Sequence, residues 1–260
     1  MILLLDIGNS RIKWAVHDGK RLRAPEAREH HGLPGALLRK LDLPVTDEAW
    51  VANVTGAEHE GAIADAIDAQ CGLRAQFART RRAWSGLRVA YAEPERLGVD
   101  RWLAMAAVWI ETEKPFCVVN AGTALTYDEV RRAGRHAGGL IAPGLSTALN
   151  AVRSSTRFPL KAEAAVGAAP PTEALGGRHG RDAYGQGLGT DTEACVRQGA
   201  LYACAGLVER AAREVLGAKI LTGGDAETLH PHLGRGWTVR PNLVLEGLLA
   251  YARHEGGVRR

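Results

Sequence analysis

Apolar positions along the first part of the chain fall into short runs separated by segments of helical spacing. Runs at 2–7 and 12–17 predict two strands, followed by a helix over 33–42, a strand at 48–54, a helix at 57–71 and a short strand near 74–79. Leu103, Ala106, Ala107 and Ile110 then share one face of a helix expected within 95–113. Past residue 115 the pattern restarts, with strands predicted at 116–120, 123–130 and 135–142 and a helix at 144–153. After a Gly, Ala and Pro-rich stretch at 161–189, an Ala-rich helix is expected from 190 to 216, then a strand at 218–222, a helix at 225–230, a strand at 236–240 and a closing helix at 242–254. Strands and helices interleave throughout, which predicts an α/β fold.

The restart resembles the beginning. LLLDIGNSRIKWAV at 3–16 lies over CVVNAGTALTYDEV at 117–130 without gaps, placing Asp6 on Asn120 and Gly8 on Gly122. Each copy reads as an apolar strand, a turn of polar residues around a glycine, and a returning strand. Two such copies imply an internal duplication into similar halves, 1–115 and 116–260, with the boundary at Lys114–Pro115.

The turn chemistry of the first copy suits an anion. Asp6 ends the strand, Gly8 lets the backbone turn tightly, Asn9, Ser10 and the following amides supply donors, and Lys13 on the returning strand adds positive charge. A carboxylate beside phosphate donors makes sense when a divalent cation such as Mg2+ lies between Asp6 and the phosphates. From one copy alone, an ordinary β-hairpin explains the residues equally well. The second copy, at Asn120, Gly122 and Thr123, favours a pair of phosphate hairpins that grip a nucleotide from both sides. Neither G-x-x-x-x-G-K-[ST] nor a G-x-G-x-x-G after a strand occurs, which argues against P-loop and Rossmann nucleotide sites. Tyr91 and LGVDR at 97–101 bring Gly98, Asp100 and Arg101 to a helix start, where free amides and an arginine can hold an anion and Asp100 can accept a hydroxyl proton. The competing reading is a surface pair between Asp100 and an arginine.

Composition removes other classes. With 46% hydrophobic and 24% charged residues among 260, the chain reads as an ordinary soluble protein. The apolar stretch 103–110 is closed off by Arg101 and Glu111, far short of a membrane span, and MILLLDIG has no basic segment before it, so no secretory signal is expected. A cytoplasmic enzyme is therefore expected. Cys71, Cys117, Cys195 and Cys204 lack metal or disulfide spacing and read mostly as buried small hydrophobes. The net charge of +4 is dispersed, with paired arginines only at Arg81–Arg82, Arg131–Arg132 and Arg259–Arg260, which argues against nucleic-acid binding. Pro231 between His230 and His232 suits a turn better than a metal site.

In order along the chain, DIGNSRIK at 6–13, GVDR at 98–101, AGTALTYD at 121–128, GGLIAPG at 138–144 and TGGD at 222–225 resemble the type III pantothenate kinase family, also called the Bvg accessory factor family. That family belongs to the acetate and sugar kinase, heat-shock cognate and actin superfamily, so the resemblance implies two actin-like, ribonuclease H-like domains around a nucleotide cleft. It implies ATP-dependent phosphorylation of pantothenate, with Asp100 as catalytic base. Asp6, Ile7, Gly8, Asn9, Ser10, Arg11, Ile12 and Lys13 match the ATP phosphate loop; Thr123, Gly223 and Gly224 match further ATP contacts. Tyr91, Gly98, Val99, Asp100 and Arg101 match the pantothenate-holding residues, as does Thr192, with Thr190 as its competitor. In a loose phosphoryl-transfer transition state a carboxylate that mainly orients the hydroxyl suffices, so Asp100 needs no unusual pKa. Many members carry an aspartate for a monovalent cation, K+ or NH4+, where this chain has Asn120, a weaker ligand that speaks against a tight site. A homodimer is implied, and the several apolar faces of helix 100–112, with Trp102, Met105 and Trp109, fit either a dimer contact or the monomer core. The alternatives are a nucleotide-binding regulatory protein and another small-molecule kinase of the superfamily.

Overall fold

The computed structural model describes residues 1–156 and 187–256, so most of the Gly, Ala and Pro-rich stretch at 161–189 lies outside the described residues. The chain divides into two units. Unit 1 comprises 1–115, 128–138 and 242–260, and unit 2 comprises 116–127 and 139–241. The expected boundary at Pro115 recurs, but the simple division 1–115 and 116–260 does not: a returning hairpin and the closing helix group with the first unit.

Unit 1 is built on a sheet in the order β3-β2-β1-β4-β5, from β1 (Ile2–Ile7), β2 (Arg11–His17), β3 (Leu22–Glu29), β4 (Glu48–Asn53) and β5 (Ala75–Phe77). Central strand β1 pairs antiparallel with β2 and parallel with β4, and Leu3, Leu4, Leu5 and Ile7 are wholly buried. Side chains alternate across the sheet. Leu3, Leu5 and Ile7 pack with Leu38 of α1 (Pro34–Leu38) and with Ile63 and Ile67 of α2 (Glu60–Cys71). The other face meets α3 (Val99–Thr112) and α7 (Leu243–Glu255), which pack closely enough that a Cβ on Gly247 would lie 2.0 Å from the Leu103 carbonyl. Trp102, Met105 and Trp109 are buried in this layer, with Trp50, Trp84, Trp102 and Tyr251 in mutual edge or tilted ring contacts. These side chains fill the monomer core, so they lend a dimer no support.

Two elements escaped the apolar pattern. β3 is an edge strand whose exposed Arg and Glu residues and Pro25 hide it, since an edge needs no buried side chains and tolerates a missing N–H. β6 (Ala83–Trp84) and β7 (Leu87–Arg88) form a hairpin whose turn residues Ser85 and Gly86 both have positive φ, as a type I′ turn requires. Within unit 1, β7 pairs at Arg88 with Arg135, in the part of β10 (Arg135–Pro143) that belongs to this unit.

Unit 2 repeats the same plan. β8 (Phe116–Ala121), β9 (Ala124–Arg131), β10, β11 (Ala218–Thr222) and β12 (Trp237–Val239) follow the order β12-β11-β8-β9-β10, matching β5-β4-β1-β2-β3 strand for strand. β8 and β11 are parallel, as are β11 and β12. Its core joins Val119, Leu125, Tyr127 and Leu221 with Cys204 and Val208 of α5 (Thr192–Ala211) and Leu229 of α6 (Ala226–Leu229). Leu145 and Leu149 of α4 (Leu145–Ser155) pack on Ala200 and Leu201 of α5. The duplication is thus real at the level of topology, and the fold is that of two actin-like domains. Among the cysteines Cys117 and Cys204 are buried, whereas Cys195 is exposed, correcting the expectation that most are core residues. His230–His232 forms a 3-10 turn, and among the described residues no cluster of three or more metal-binding side chains occurs.

Candidate functional site

The pleat of β1 decides where Asp6 points. Because Leu3, Leu5 and Ile7 face α1 and α2, Leu4 and Asp6 face the layer of α3 and α7. Lys13 stands directly across the β1–β2 ladder from Asp6. Burial pushes the Asp6 carboxyl up to about 7; Lys13 opposes this, and the neighbouring charge of Asp100 adds to it. Asp100 itself is raised, mainly by burial, against the backbone N–H of Arg101 and the Arg101 charge. Two carboxylates with elevated proton affinity therefore share one corner of unit 1.

Local geometry fixes that carboxylate. Gly98 is the N-cap of α3, and a Cβ there would lie 2.7 Å from Asp100 Oδ1, so glycine lets the side chain fold back over the helix start. Val99 is buried beneath it. Arg101 turns away from Asp100: its Nε and Nη2 donate to the two oxygens of Asp128 at 2.8 and 2.7 Å, and its Nη1 donates to the Tyr91 hydroxyl at 3.2 Å. The carboxylate–arginine pair anticipated at the surface is instead a buried Arg101–Asp128 pair, with side chains 6% and 3% exposed. His136 Nε2 lies 3.0 Å from Asp128 Oδ1.

The first hairpin is closed by the Gly8 N–H donating to the Arg11 carbonyl at 3.0 Å. Asn9 is exposed, Ile12 is wholly buried, and Arg11 is engaged with Glu29 at 2.8 Å. Its far side is pinned by a residue the sequence reading passed over. Buried His30 places Nε2 2.8 Å from the Gly8 carbonyl, its Nδ1 accepts from the Gly32 N–H at 3.2 Å, and its own N–H donates to the Ser10 carbonyl. No pattern in sequence announces this, because His30 follows an edge strand that the apolar pattern does not reveal.

In unit 2 the corresponding turn is held from behind by α4. The Gly122 N–H donates to the Ala124 carbonyl, and the Thr123 carbonyl accepts from the Gly144 N–H at 3.0 Å and from Thr147 Oγ1 at 2.6 Å. Asn120, the last residue but one of β8, pairs with Thr222 of β11. Beyond it Gly223 has φ of 104°, and a Cβ would lie 2.2 Å from the Ala121 carbonyl, so only glycine fits. Gly224 is exposed. Thr192 is the exposed first residue of α5, capped by Asp191 accepting from the Ala194 N–H at 2.8 Å, with Thr190 exposed just before it.

The sequence profile of type III pantothenate kinases matches residues 2–214. The chain belongs to the type III pantothenate kinase family. It is 33% identical to the type III pantothenate kinase of Nitrosococcus oceani over 100% of this chain and 97% of that one. It is 35% identical to that of Burkholderia vietnamiensis over 99% and 98%. Among solved structures it is similar to a Baf family protein of Campylobacter jejuni (TM-score 0.59, 17% identical, 98% and 100% covered). It is also similar to component A of (R)-2-hydroxyglutaryl-CoA dehydratase from Acidaminococcus fermentans (TM-score 0.52, 11% identical, 98% of each chain).

In this chain, the residues matching the family motifs lie in two groups. Unit 1 assembles 6–13, Tyr91 and 98–101; unit 2 assembles Asn120, Thr123, Gly223 and Gly224, with Thr192 at the head of α5. A cavity of about 850 Å³ at the opposite end of β1 is a poor rival, since its charged groups are already engaged. There the Met1 amine pairs with Asp47, Arg253 meets His17, and Glu48 accepts from the Trp50 indole. Among the described residues no helix is long and apolar enough to cross a membrane.

Proposed function

We propose that this chain transfers the γ-phosphoryl group of ATP to the primary hydroxyl of pantothenate, giving 4′-phosphopantothenate and ADP at the entry to coenzyme A synthesis. The observation that carries this reading is Asp100: a half-buried carboxylate of raised proton affinity, folded back at a helix start beside Asp6, inside the family's GVDR segment. As the hydroxyl oxygen bonds to the γ-phosphorus, the bond from phosphorus to the ADP oxygen breaks and the hydroxyl proton passes to Asp100. Elevated proton affinity makes Asp100 a better acceptor than an exposed aspartate. Tyr91, Gly98, Val99, Arg101 and Thr192 hold pantothenate, and the 6–13 hairpin, Thr123, Gly223 and Gly224 contact ATP.

The residues present fit a magnesium ion at Asp6, because a half-buried, desolvated carboxylate repelled by a second one gains most from a cation. When bound, Mg2+ neutralises charge on the phosphates. Asn120 offers a neutral amide oxygen for K+ or NH4+, so the monovalent cation is weakly held. The homodimer rests on the family resemblance alone, and a cytoplasmic location follows from the proposed substrate.

The test is ADP release with ATP, Mg2+ and pantothenate, with and without K+ or NH4+. Pantothenate-dependent release that changes little between cations is expected. No pantothenate-dependent release under any cation would favour the regulatory nucleotide-binding reading instead.

A further inference from the structure

Asp128 and His136 matched no substrate motif, yet they enclose two residues that did. Asp128 lies on β9 and His136 on β10, in the segment 128–138 that belongs to unit 1. Asp128 accepts from Nε and Nη2 of Arg101, which takes the whole side edge of the guanidinium. Arg101 Nη1 donates to the Tyr91 hydroxyl. Of the five N–H bonds of an arginine, these contacts use three, leaving one on each terminal nitrogen in the plane of the fork.

His136 holds the other half. Its Nδ1 accepts from the Ala90 N–H at 3.4 Å, so Nε2 carries the proton and donates it to Asp128 at 3.0 Å. The ring stacks on Tyr91, with centroids 6.1 Å apart and planes 16° from parallel. One buried histidine thus orients the Asp128 carboxylate and fixes the Tyr91 ring from below, and the Tyr91 hydroxyl, already accepting from Arg101, keeps its own proton to donate. A buried ion pair contributes little to stability compared with apolar packing of the same volume, so its presence beside Asp100 calls for another reason.

We propose that Asp128 and His136 are positioning residues that lock the Arg101 guanidinium and the Tyr91 ring into one rigid anion-recognising fork for the carboxylate-bearing substrate. This rests on the pantothenate kinase reading for the identity of that substrate. The first arm of the test is steady-state kinetics. Asp128→Asn removes one charge at constant shape and raises the pantothenate KM at least about tenfold while leaving the ATP KM within about twofold. Should Asp128→Asn fail to fold, His136→Ala and His136→Gln decide: Gln can still donate to Asp128 from the Nε2 position, so its pantothenate KM lies closer to wild type than that of Ala. An unchanged pantothenate KM in His136→Ala, or equal rises for both substrates, would overturn the proposal. The second arm needs no activity. The Arg101 Nε–H resonance exchanges slowly with solvent in the wild type and faster in Asp128→Asn and His136→Ala; equal exchange rates would also overturn it. A wild type without pantothenate-dependent ADP release sinks the functional reading, while Nε–H exchange still decides whether Asp128 and His136 hold Arg101.

Discussion

The two turns that follow β1 and β8 share a topology and differ in charge. The first is reached through Asp6, faces Lys13 across the ladder and neighbours Asp100. Its counterpart is reached through Asn120 and is held by uncharged groups: the Gly144 N–H and the Thr147 hydroxyl on the Thr123 carbonyl, and Gly223 against the Ala121 carbonyl. Their clamps differ too. A histidine after an edge strand pins the Gly8 turn, whereas the N-terminus of α4 backs the Thr123 turn. The difference teaches that the duplicated fold has separated two tasks: unit 1 concentrates titratable chemistry, while unit 2 offers close backbone approach.

The largest effect follows if that separation is right. Asp100→Asn keeps shape but cannot take a proton, so turnover falls by roughly 10²–10⁴-fold while ATP binding is nearly unchanged. Turnover by stopped assay and ATP affinity by calorimetry measure the two separately. Normal turnover would remove Asp100 from the mechanism and with it the claim that unit 1 carries the chemistry.

Asp6 gives the next effect, in stability. Its carboxyl is raised from 3.8 to about 7 in the folded protein, so the folded state holds a proton that the unfolded chain has released between those values. The stability this contributes is full below 3.8 and is lost as pH rises through about 7. At about 1.4 kcal/mol per pKa unit the loss is at most on the order of 4 kcal/mol. Asp6→Asn is neutral at every pH, so its melting temperature without ligands should exceed the wild type by several degrees at pH 8 and converge with it near pH 4. A variant that melts below wild type at pH 8 would show that burial does not strain Asp6. The same variant should lose Mg2+-dependent turnover, which separates a stabilised fold from a working site.

What sequence revealed and concealed divides along similar physical lines. Apolar runs and turn glycines gave the central strands, α2, α3, α5 and α7, and the order of these elements along each half, because buried strands and helices must show their periodicity. The gap-free overlay also located Asn120 opposite Asp6. It does not extend beyond the turn: β8 begins 114 positions after β1 (116 minus 2), but β9 begins only 113 after β2 (124 minus 11). Edge strand β3 and the hairpin of β6 and β7 were hidden, being exposed or two residues long, although Ser85–Gly86 between Trp84 and Leu87 was a usable turn signal. His30, His136 and the contacts of Asp128, itself the last residue of the AGTALTYD motif, were hidden for another reason. Each acts through a partner far along the chain, and spacing along a sequence carries no sign of a contact made by folding; Arg101 and Asp128 are separated by 27 positions.

The smallest effect addresses Asn120 directly. Its Oδ1 would sit 2.5 Å from a Cβ at Gly223 and 3.7 Å from one at Gly122, so the side chain lies against the backbone of both turns. Asn120→Asp is isosteric and keeps that oxygen while adding a negative charge to the neutral turn. A carboxylate binds a monovalent cation better than an amide, so the variant should become more dependent on K+ or NH4+, by about two- to fivefold in kcat/KM between cation-free and saturated buffer, where the wild type changes less. The measurement is a cation titration of both proteins at fixed ionic strength, which separates specific binding from screening. An equal response in the two would mean that charge at position 120 does not govern cation use. The asymmetry between the turns would then rest on Asp6 and Asp100 alone.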